Sequence, residues 1–177
     1  MYVTTYTSPL GPLTMASNGD ALTGLWFEGQ KYFAPGRAAW TERADLPLFA
    51  QTQAWLDRYF QGHTPSPTEI PLAPQGSAFR QAVWNMLCAI PYGQLTTYGA
   101  LASRLAERLG KKSMSSQAVG GAVGHNPISL LIPCHRVLGA KGNLTGYAGG
   151  IKKKIYLLEL EGVDTSAMFI PKKGTAL

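Results

Sequence analysis

The sequence predicts an α+β protein composed of two small units. Short β-prone runs separated by turn residues fill the first 27 residues, which predicts an N-terminal antiparallel β-sheet. Helical periodicity dominates after residue 77, and the four prolines within residues 62–76 are typical of a linker. We therefore expect an N-terminal α/β structural domain with its Pro-rich linker over residues 1–76 and a helical C-terminal domain over residues 77–177.

The predicted N-terminal sheet contains three strands. Residues 2–8 are rich in threonine and tyrosine, and residues 13–17 and 21–27 are further short β-prone runs. Proline and glycine mark the first turn, and the Asn-Gly-Asp sequence at residues 18–20 is typical of a hairpin. A helix over residues 48–61 completes this unit, because its large apolar residues recur on one face.

Four further helices are predicted in the C-terminal domain. Ser77 and Thr97 can cap the first two, and in each the apolar residues recur at helical spacing. The third covers residues 115–125 and the fourth residues 151–161. The second and third form the arrangement of a helix-turn-helix, which presents its second helix to DNA. Residues 138–145 are then expected to form a hairpin, as a wing beside this motif.

The positive charge of the chain lies in its C-terminal part. The formal net charge is +6, but residues 1–79 contain 4 basic and 6 acidic side chains, whereas residues 80–177 contain 12 basic and 4 acidic ones. A polyanionic partner is one explanation and a solvated basic face is the other, and charge alone does not separate them. Residues 163–177 are expected to form a frayed basic tail.

No membrane span or targeting segment is predicted. No apolar run approaches the about 20 residues that cross a bilayer, and the first residues lack the features of a signal peptide. We therefore expect a cytoplasmic protein with no membrane partner. Cys88 and Cys134 should then remain reduced, and the three histidines show no metal-ligand spacing with them, so neither a metal nor another cofactor is expected.

Cys134 is the candidate nucleophile of the chain. An apolar run over residues 128–132 leads into the interior and ends at Pro133, which places Cys134 on a turn at the edge of the core. A lone free cysteine is most often a small buried hydrophobic residue. Here His135 and Arg136 follow at once, and a neighbouring base or cation is what converts a thiol into a reactive thiolate. The neighbours therefore favour a nucleophile.

The block around this candidate nucleophile resembles the active site of the O6-alkylguanine-DNA alkyltransferases, also called methylated-DNA–protein-cysteine methyltransferases. It consists of Ile-Pro-Cys-His-Arg-Val at residues 132–137, Asn126 and Pro127 before it, and the glycine-rich loop 146–150 after it. The resemblance extends over residues 77–162, whereas the N-terminal part of the chain resembles the variable N-terminal region of that family more loosely.

The resemblance implies a DNA-repair methyltransferase that acts once and irreversibly. An alkyl group on O6 of guanine in double-stranded DNA, with O4 of thymine as a further candidate, would pass to Cys134 after the nucleotide is flipped out of the stack. The protein would work as a monomer without metal or cofactor. In this family pattern Cys134 is the nucleophile, His135 its base, Glu161 the residue that orients the histidine, and Tyr98 the residue that assists departure of the base.

The resemblance also implies which residues hold the substrate and the DNA. The substrate-binding residues are Asn126, which also serves as a structural hinge, Val137, Tyr147, Ala148 and Gly149. The DNA-binding residues are Gln117, Ala118, Gly121, Lys111, Lys112 and Arg136, the last of which also suits a bracing role in the fold. Gln117 stands where much of the family has an arginine that enters the base stack. We therefore expect a weaker dependence on this side chain, with Lys111 and Lys112 supplying charge.

Two predicted helices depart from the usual rules of helix stability. The recognition helix contains three glycines, each of which costs about 1 kcal/mol relative to alanine in a helix interior. Tight internal packing is one explanation, and close approach of the helix to a DNA minor groove is the other. The last helix has three lysines at its N-terminus and Glu159 and Glu161 at its C-terminus, against the helix macrodipole. Glu161 therefore requires a partner, and the family pattern supplies His135.

Two other functions stay open. A Cys-His-Glu hydrolase would need an oxyanion hole near Cys134 and would turn over, but no further motif supports it, and adjacent cysteine and histidine are awkward for a protease dyad. The second alternative is a non-enzymatic winged-helix protein that senses alkyl lesions. Cys134 argues against it, because the alkyltransferase-like sensors lack the reactive cysteine.

Overall fold

The computed structural model describes residues 1–171, which form two compact units. The first contains Met1–Gln75 and the short segment Pro127–Leu131. The second contains Gly76–Asn126 and the chain from Ile132 onwards. Because Pro127–Leu131 clusters with the first unit, a single cut at residue 76 does not separate the two. The division of the chain into two independent domains stays a prediction.

The sheet of the first unit has four strands in the order β3-β2-β1-β4. The strands are β1 Tyr2–Ser8, β2 Gly11–Ser17, β3 Leu22–Phe27 and β4 Thr41–Glu42. β1 pairs antiparallel with β2, and β2 pairs antiparallel with β3, which confirms the three predicted strands. β4 pairs parallel to β1. The sheet is therefore mixed, which corrects the expectation of a purely antiparallel one.

One helix and two irregular segments complete the first unit. Helix α1, Pro47–Phe60, confirms the predicted helix and buries Phe49, Trp55, Leu56 and Tyr59. The Pro-rich stretch after it is not a free linker over its whole length, because the Leu22 N–H donates to the Pro71 carbonyl at 2.8 Å. Pro127–Leu131 is held by the same strand, since the Leu25 N–H donates to the Pro127 carbonyl at 2.8 Å.

Up to residue 171, the second unit contains four α-helices. They are α2 Ala78–Cys88, α3 Tyr98–Arg108, α4 Ser116–Gly124 and α5 Ile151–Leu160. Ser77 caps α2 and Thr97 caps α3 by accepting backbone N–H bonds at 3.3 and 3.1 Å, as predicted. Trp84 of α2 donates its indole N–H to the Ala122 carbonyl of α4 at 2.9 Å, which ties these two helices together. In the part of the chain that the structure describes, no helix is both long and apolar enough to cross a membrane.

The region after Cys134 differs from the predicted wing. Val137–Leu138 forms strand β6, which pairs parallel to β5, Thr96–Thr97, and Ala140–Gly142 follows as a short 3-10 turn. The hairpin predicted over residues 138–145 is therefore wrong, because β6 takes its partner from elsewhere in the chain. The predicted frayed tail is wrong up to residue 169, since the Leu144 N–H donates to the Phe169 carbonyl at 2.9 Å. Residues 172–177 of that tail lie outside the described residues.

Candidate active site and nucleic-acid interface

The candidate nucleophile lies on a single 3-10 turn, Cys134–Arg136. Before it the chain bends sharply at Leu130, a buried residue with φ of 71°, a region that branched side chains rarely adopt. Successive side chains on a 3-10 turn point about 120° apart. Cys134, His135 and Arg136 therefore leave the backbone in different directions. All three are buried.

Glu161 is the anion that organises this turn. The imidazole Nε2 of His135 lies 2.7 Å from Glu161 Oε1, and Arg136 donates from Nε to Oε2 at 2.8 Å and from Nη2 to Oε1 at 2.9 Å. The Gly93 N–H also donates to Oε2, at 3.0 Å. Burial alone would raise the pKa of Glu161, but the hydrogen bonds and charges of His135 and Arg136 hold that pKa well below its usual range. Glu161 is thus ionised despite lying at the unfavourable end of α5.

The same contacts set the state of His135. Burial lowers the pKa of His135, and this outweighs the opposite effect of Glu161. The imidazole is therefore neutral near pH 7. Because an ionised carboxylate only accepts hydrogen bonds, Nε2 carries the hydrogen and Nδ1 is the basic nitrogen. The ring also meets Tyr147 edge to face, with centroids 6.5 Å apart.

Asn126 connects α4 to the candidate nucleophile. Its amide Nδ2 donates to the Ile132 carbonyl at 2.7 Å and to the Cys134 sulfur at 3.1 Å. Burial raises the pKa of the Cys134 thiol, while the Asn126 hydrogen bond and the charge of Lys154 act in the opposite direction. The sulfur is therefore a thiol at rest that needs a base to become a nucleophile.

Lys154 is a site residue that the sequence analysis did not single out. Its side chain is fully buried, and Nζ donates to the Val137 carbonyl at 2.5 Å and to the Thr145 carbonyl at 3.1 Å. Burial lowers the pKa of Lys154 to about 8. One signal was available, because Lys154 lies three and four positions before Leu157 and Leu158 and so shares the apolar face of α5.

Tyr98 lies at the start of α3 and contacts the glycine-rich loop. Its hydroxyl donates to the Gly146 carbonyl at 2.8 Å, and burial raises the pKa of Tyr98. Gly146 has φ of 84°, and a Cβ at this position would lie 2.3 Å from the tyrosine oxygen. Only glycine therefore allows this approach. Further along the loop, Tyr147 is buried, and Ala148 and Gly149 are half-buried.

The exposed face of α4 carries only small or uncharged side chains. Gln117, Ala118 and Gly121 are exposed, and the opposite face buries Val119, Ala122 and Val123. A Cβ on Gly121 would meet no atom within 4 Å, so packing within the protein does not require this glycine.

The candidate DNA-contacting cations divide into two groups. Lys111 and Lys112 are exposed on the connection before α4. Arg136 is not exposed to a DNA partner, because its guanidinium is buried against Glu161 and also donates to the Ile90 carbonyl at 2.6 Å. Its assignment as a DNA contact is therefore corrected in favour of the bracing role.

Both parts of the sequence match one protein family. Residues 78–163 match the DNA-binding domain of 6-O-methylguanine DNA methyltransferase, and residues 1–74 match its ribonuclease-like domain. The chain belongs to the 6-O-methylguanine DNA methyltransferase family. This confirms the resemblance seen at residues 132–137 and extends it to the N-terminal part.

Individual members of the methyltransferase family match along nearly the whole chain. The methylated-DNA–protein-cysteine methyltransferase of Haemophilus influenzae is 44% identical over 163 residues, or 92% of this chain and 87% of its own length. That of Methanosarcina acetivorans is 39% identical and covers 92% of this chain and 99% of its own. A crystal structure of Mycobacterium tuberculosis OGT in complex with DNA has a TM-score of 0.77 at 41% identity, covering 91% of this chain and 92% of that one.

In this member of the methyltransferase family, most of the predicted site residues form either a buried or an exposed set, while Tyr98, Ala148 and Gly149 are half-buried. The buried set gathers at one turn and comprises Cys134, His135, Glu161, Asn126, Val137 and Tyr147. Gln117, Ala118 and Gly121 form the exposed set on α4. Glu159 is exposed and accepts a hydrogen bond from Thr165 at 2.7 Å, in contrast to Glu161.

Proposed function

We propose that this protein repairs DNA by transferring an alkyl group from O6 of guanine to Cys134 in a single irreversible turnover. The observation that carries the proposal is the contact of His135 Nε2 with Glu161 Oε1 at 2.7 Å, since His135 lies next to the buried Cys134 on the same turn. Family membership supports the same reaction. A lesion sensor would not need a nucleophile with its base and orienting carboxylate, so that alternative is not favoured.

The chemical step balances without a cofactor. His135 takes the proton of the Cys134 thiol through a bridging water, and the thiolate electron pair forms the new S–C bond as the C–O6 bond breaks. The electrons of the broken bond stay on guanine, which receives a proton through Tyr98. Proton exchange with solvent then restores the Tyr98 hydroxyl and the neutral His135, so the net reaction moves one proton from the Cys134 thiol to guanine. A thioether has no easy leaving group, so each molecule acts once.

Access to O6 requires the nucleotide to leave the stack, because O6 faces the major-groove edge inside the duplex. We assign the pocket for the flipped base to Tyr147, Ala148 and Gly149, together with the backbone of Cys134 and Val137. The Val137 carbonyl already accepts from Lys154, but a carbonyl oxygen has a second lone pair for the guanine edge. Tyr98 would exchange its bond to the Gly146 carbonyl for one to the base.

DNA is the proposed partner of the exposed face of α4. The related Mycobacterium tuberculosis structure contains DNA, which supports this assignment. The open space above Gly121 lets the helix backbone approach a narrow groove, and Gln117 can fill the space that a flipped nucleotide leaves. Lys111 and Lys112 would contact phosphates. Since one chain carries every residue of the reaction, we propose that it acts on duplex DNA as a monomer.

Intact-protein mass spectrometry tests the reaction. The protein is mixed with a short duplex that contains one O6-methylguanine, alongside Cys134→Ser and the matched control Cys88→Ser. We expect one added methyl group per chain in the wild type and in Cys88→Ser, and none in Cys134→Ser. Tight binding to the lesion with no change in mass would contradict alkyl transfer and favour a sensor. Continued product formation beyond one equivalent would instead favour an enzyme that turns over.

A further inference from the structure

We infer that Lys154 is the counter-ion of the Cys134 thiolate and is therefore a positioning residue for the transfer step. This inference deepens the proposed function and rests on it. It starts from an unusual burial: Lys154 has no exposed surface, although lysine is among the residues least often buried completely. Its two hydrogen-bond acceptors, the carbonyls of Val137 and Thr145, are neutral.

A buried ammonium without an anion is costly, because the hydration that it loses on burial is not replaced by an ion pair. Within residues 1–171, no carboxylate lies within ion-pair distance of Lys154. Neutral carbonyls satisfy its hydrogen atoms but do not balance its charge. An anion that forms during the reaction would do so.

The charges of the buried site identify that anion. Glu161 is matched by Arg136, which bonds both of its oxygens. His135 is neutral at rest, as argued above. Among the buried groups at this turn, Lys154 is thus the cation without a carboxylate partner. When Cys134 ionises, the proton taken by His135 is held against Glu161, and the thiolate is the anion left to pair with Lys154. When the alkyl group has been transferred, the sulfur becomes a neutral thioether and this pairing is lost.

The position of Lys154 suits this role. The Val137 carbonyl that it binds ends the turn that begins with Cys134. The charge of Lys154 lowers the pKa of Cys134, and a thiolate at Cys134 raises the pKa of Lys154. Each charged form therefore favours the other. The second bond of Lys154, to Thr145, also fixes the loop next to the carbonyl that Tyr98 binds.

The test measures the ionisation of Cys134 separately from repair. In a Cys88→Ser background, Lys154→Met removes the charge, Lys154→Arg retains it, and Lys152→Met is the matched control on an exposed position of the same helix. The rate of Cys134 alkylation by iodoacetamide is followed against pH by mass spectrometry. Single-turnover methyl transfer from the lesion duplex and affinity for undamaged duplex are measured on the same proteins.

We expect Lys154→Met to move the midpoint of the thiol pH profile upwards by at least about one pH unit, equivalent to about tenfold in thiolate at a fixed pH below the midpoint. Methyl transfer should slow by a similar factor or more, while DNA affinity changes less than twofold. Lys154→Arg and Lys152→Met should keep the parental midpoint.

A lower melting temperature in Lys154→Met with an unchanged midpoint would overturn the inference and leave Lys154 as a structural clamp. Lys154→Gln, which can still bond a carbonyl, is the second neutral variant if the methionine variant does not fold. The thiol profile also separates this inference from the proposed function. If Lys154→Met shifts the midpoint but the parental protein transfers no methyl group, Lys154 is still the counter-ion of Cys134 and the proposed repair reaction is wrong.

Discussion

The turn Cys134–Arg136 and the exposed face of α4 belong to the same unit and are built on opposite principles. At the turn, each charged or polar side chain is buried and held, with Glu161 accepting from His135, Arg136 and the Gly93 N–H. On α4, Gly121 leaves open space and Gln117 points to solvent. The residues assigned to the reaction are thus already held by hydrogen bonds in the free protein. The surface assigned to DNA instead has open space that a partner could occupy.

The largest effect should come from removing the buried contacts of Glu161 at the turn Cys134–Arg136. Glu161→Ala leaves the charge of Arg136 buried and unpaired, which should lower the free energy of unfolding by about 3–5 kcal/mol and abolish methyl transfer. Glu159→Ala, two positions earlier and exposed, should change that free energy by less than about 0.5 kcal/mol. Urea unfolding measures both. If both variants lost the same free energy of unfolding, the buried contacts of Glu161 would not stabilise the fold more than those of Glu159.

The next largest effect should come from substitutions of Gly121 on the exposed face of α4. Gly121→Ala should raise the free energy of unfolding by about 1 kcal/mol, because it removes a glycine from a helix without creating a clash. Gly121→Leu should weaken binding to duplex DNA by at least about tenfold, or ~1.4 kcal/mol. Ala54→Leu, exposed on α1 in the first unit, is the control for an added apolar side chain. Unchanged DNA affinity in Gly121→Leu would remove this face from the interface.

A smaller effect concerns the pH dependence of stability. Because the pKa of His135 is lowered in the folded state, the unfolded chain takes up a proton first as the pH falls below the ordinary histidine value of about 6.5. The free energy of unfolding should then fall by up to about 1.4 kcal/mol per pH unit, until the pH passes the folded-state pKa. His135→Gln should remove this slope from urea titrations between about pH 6.5 and 5. A variant as pH-dependent as the wild type would mean that His135 is not held neutral.

The smallest effect concerns the charges beside α4. Lys111→Ala/Lys112→Ala should reduce the slope of log affinity against log salt by about 1.8 if each lysine contacts one phosphate. Gln117→Ala should leave that slope unchanged and slow methyl transfer only modestly. Fluorescence anisotropy at several salt concentrations measures the slopes. Loss of repair in Gln117→Ala, with the lysine variant binding normally, would contradict the assignment of these roles.

The sequence predicted those features that depend on neighbouring residues. Ser77 and Thr97 were recognisable as caps, and the charges of α5 against its macrodipole indicated that Glu161 needs a partner. The two-residue strand β4 was missed because its pairing with β1 is made across a long separation in the chain.

Two other differences have the same cause. The hairpin over residues 138–145 was expected from its turn residues, but pairing of β6 with β5 took precedence. The burial of Lys154 depends on where Val137 and Thr145 lie in three dimensions, so its charge was assigned to the helix terminus instead.

The contact between Leu144 and Phe169 has a practical consequence for recombinant work. The family match ends at residue 163, which invites truncation of the chain there. Met168, however, packs against the cluster of Leu138, Leu144 and Leu158, and Phe169 exchanges backbone bonds with Gly142 and Leu144. Shortened versions should therefore retain residues up to at least Phe169, and purification tags or fusion partners should be joined beyond that point.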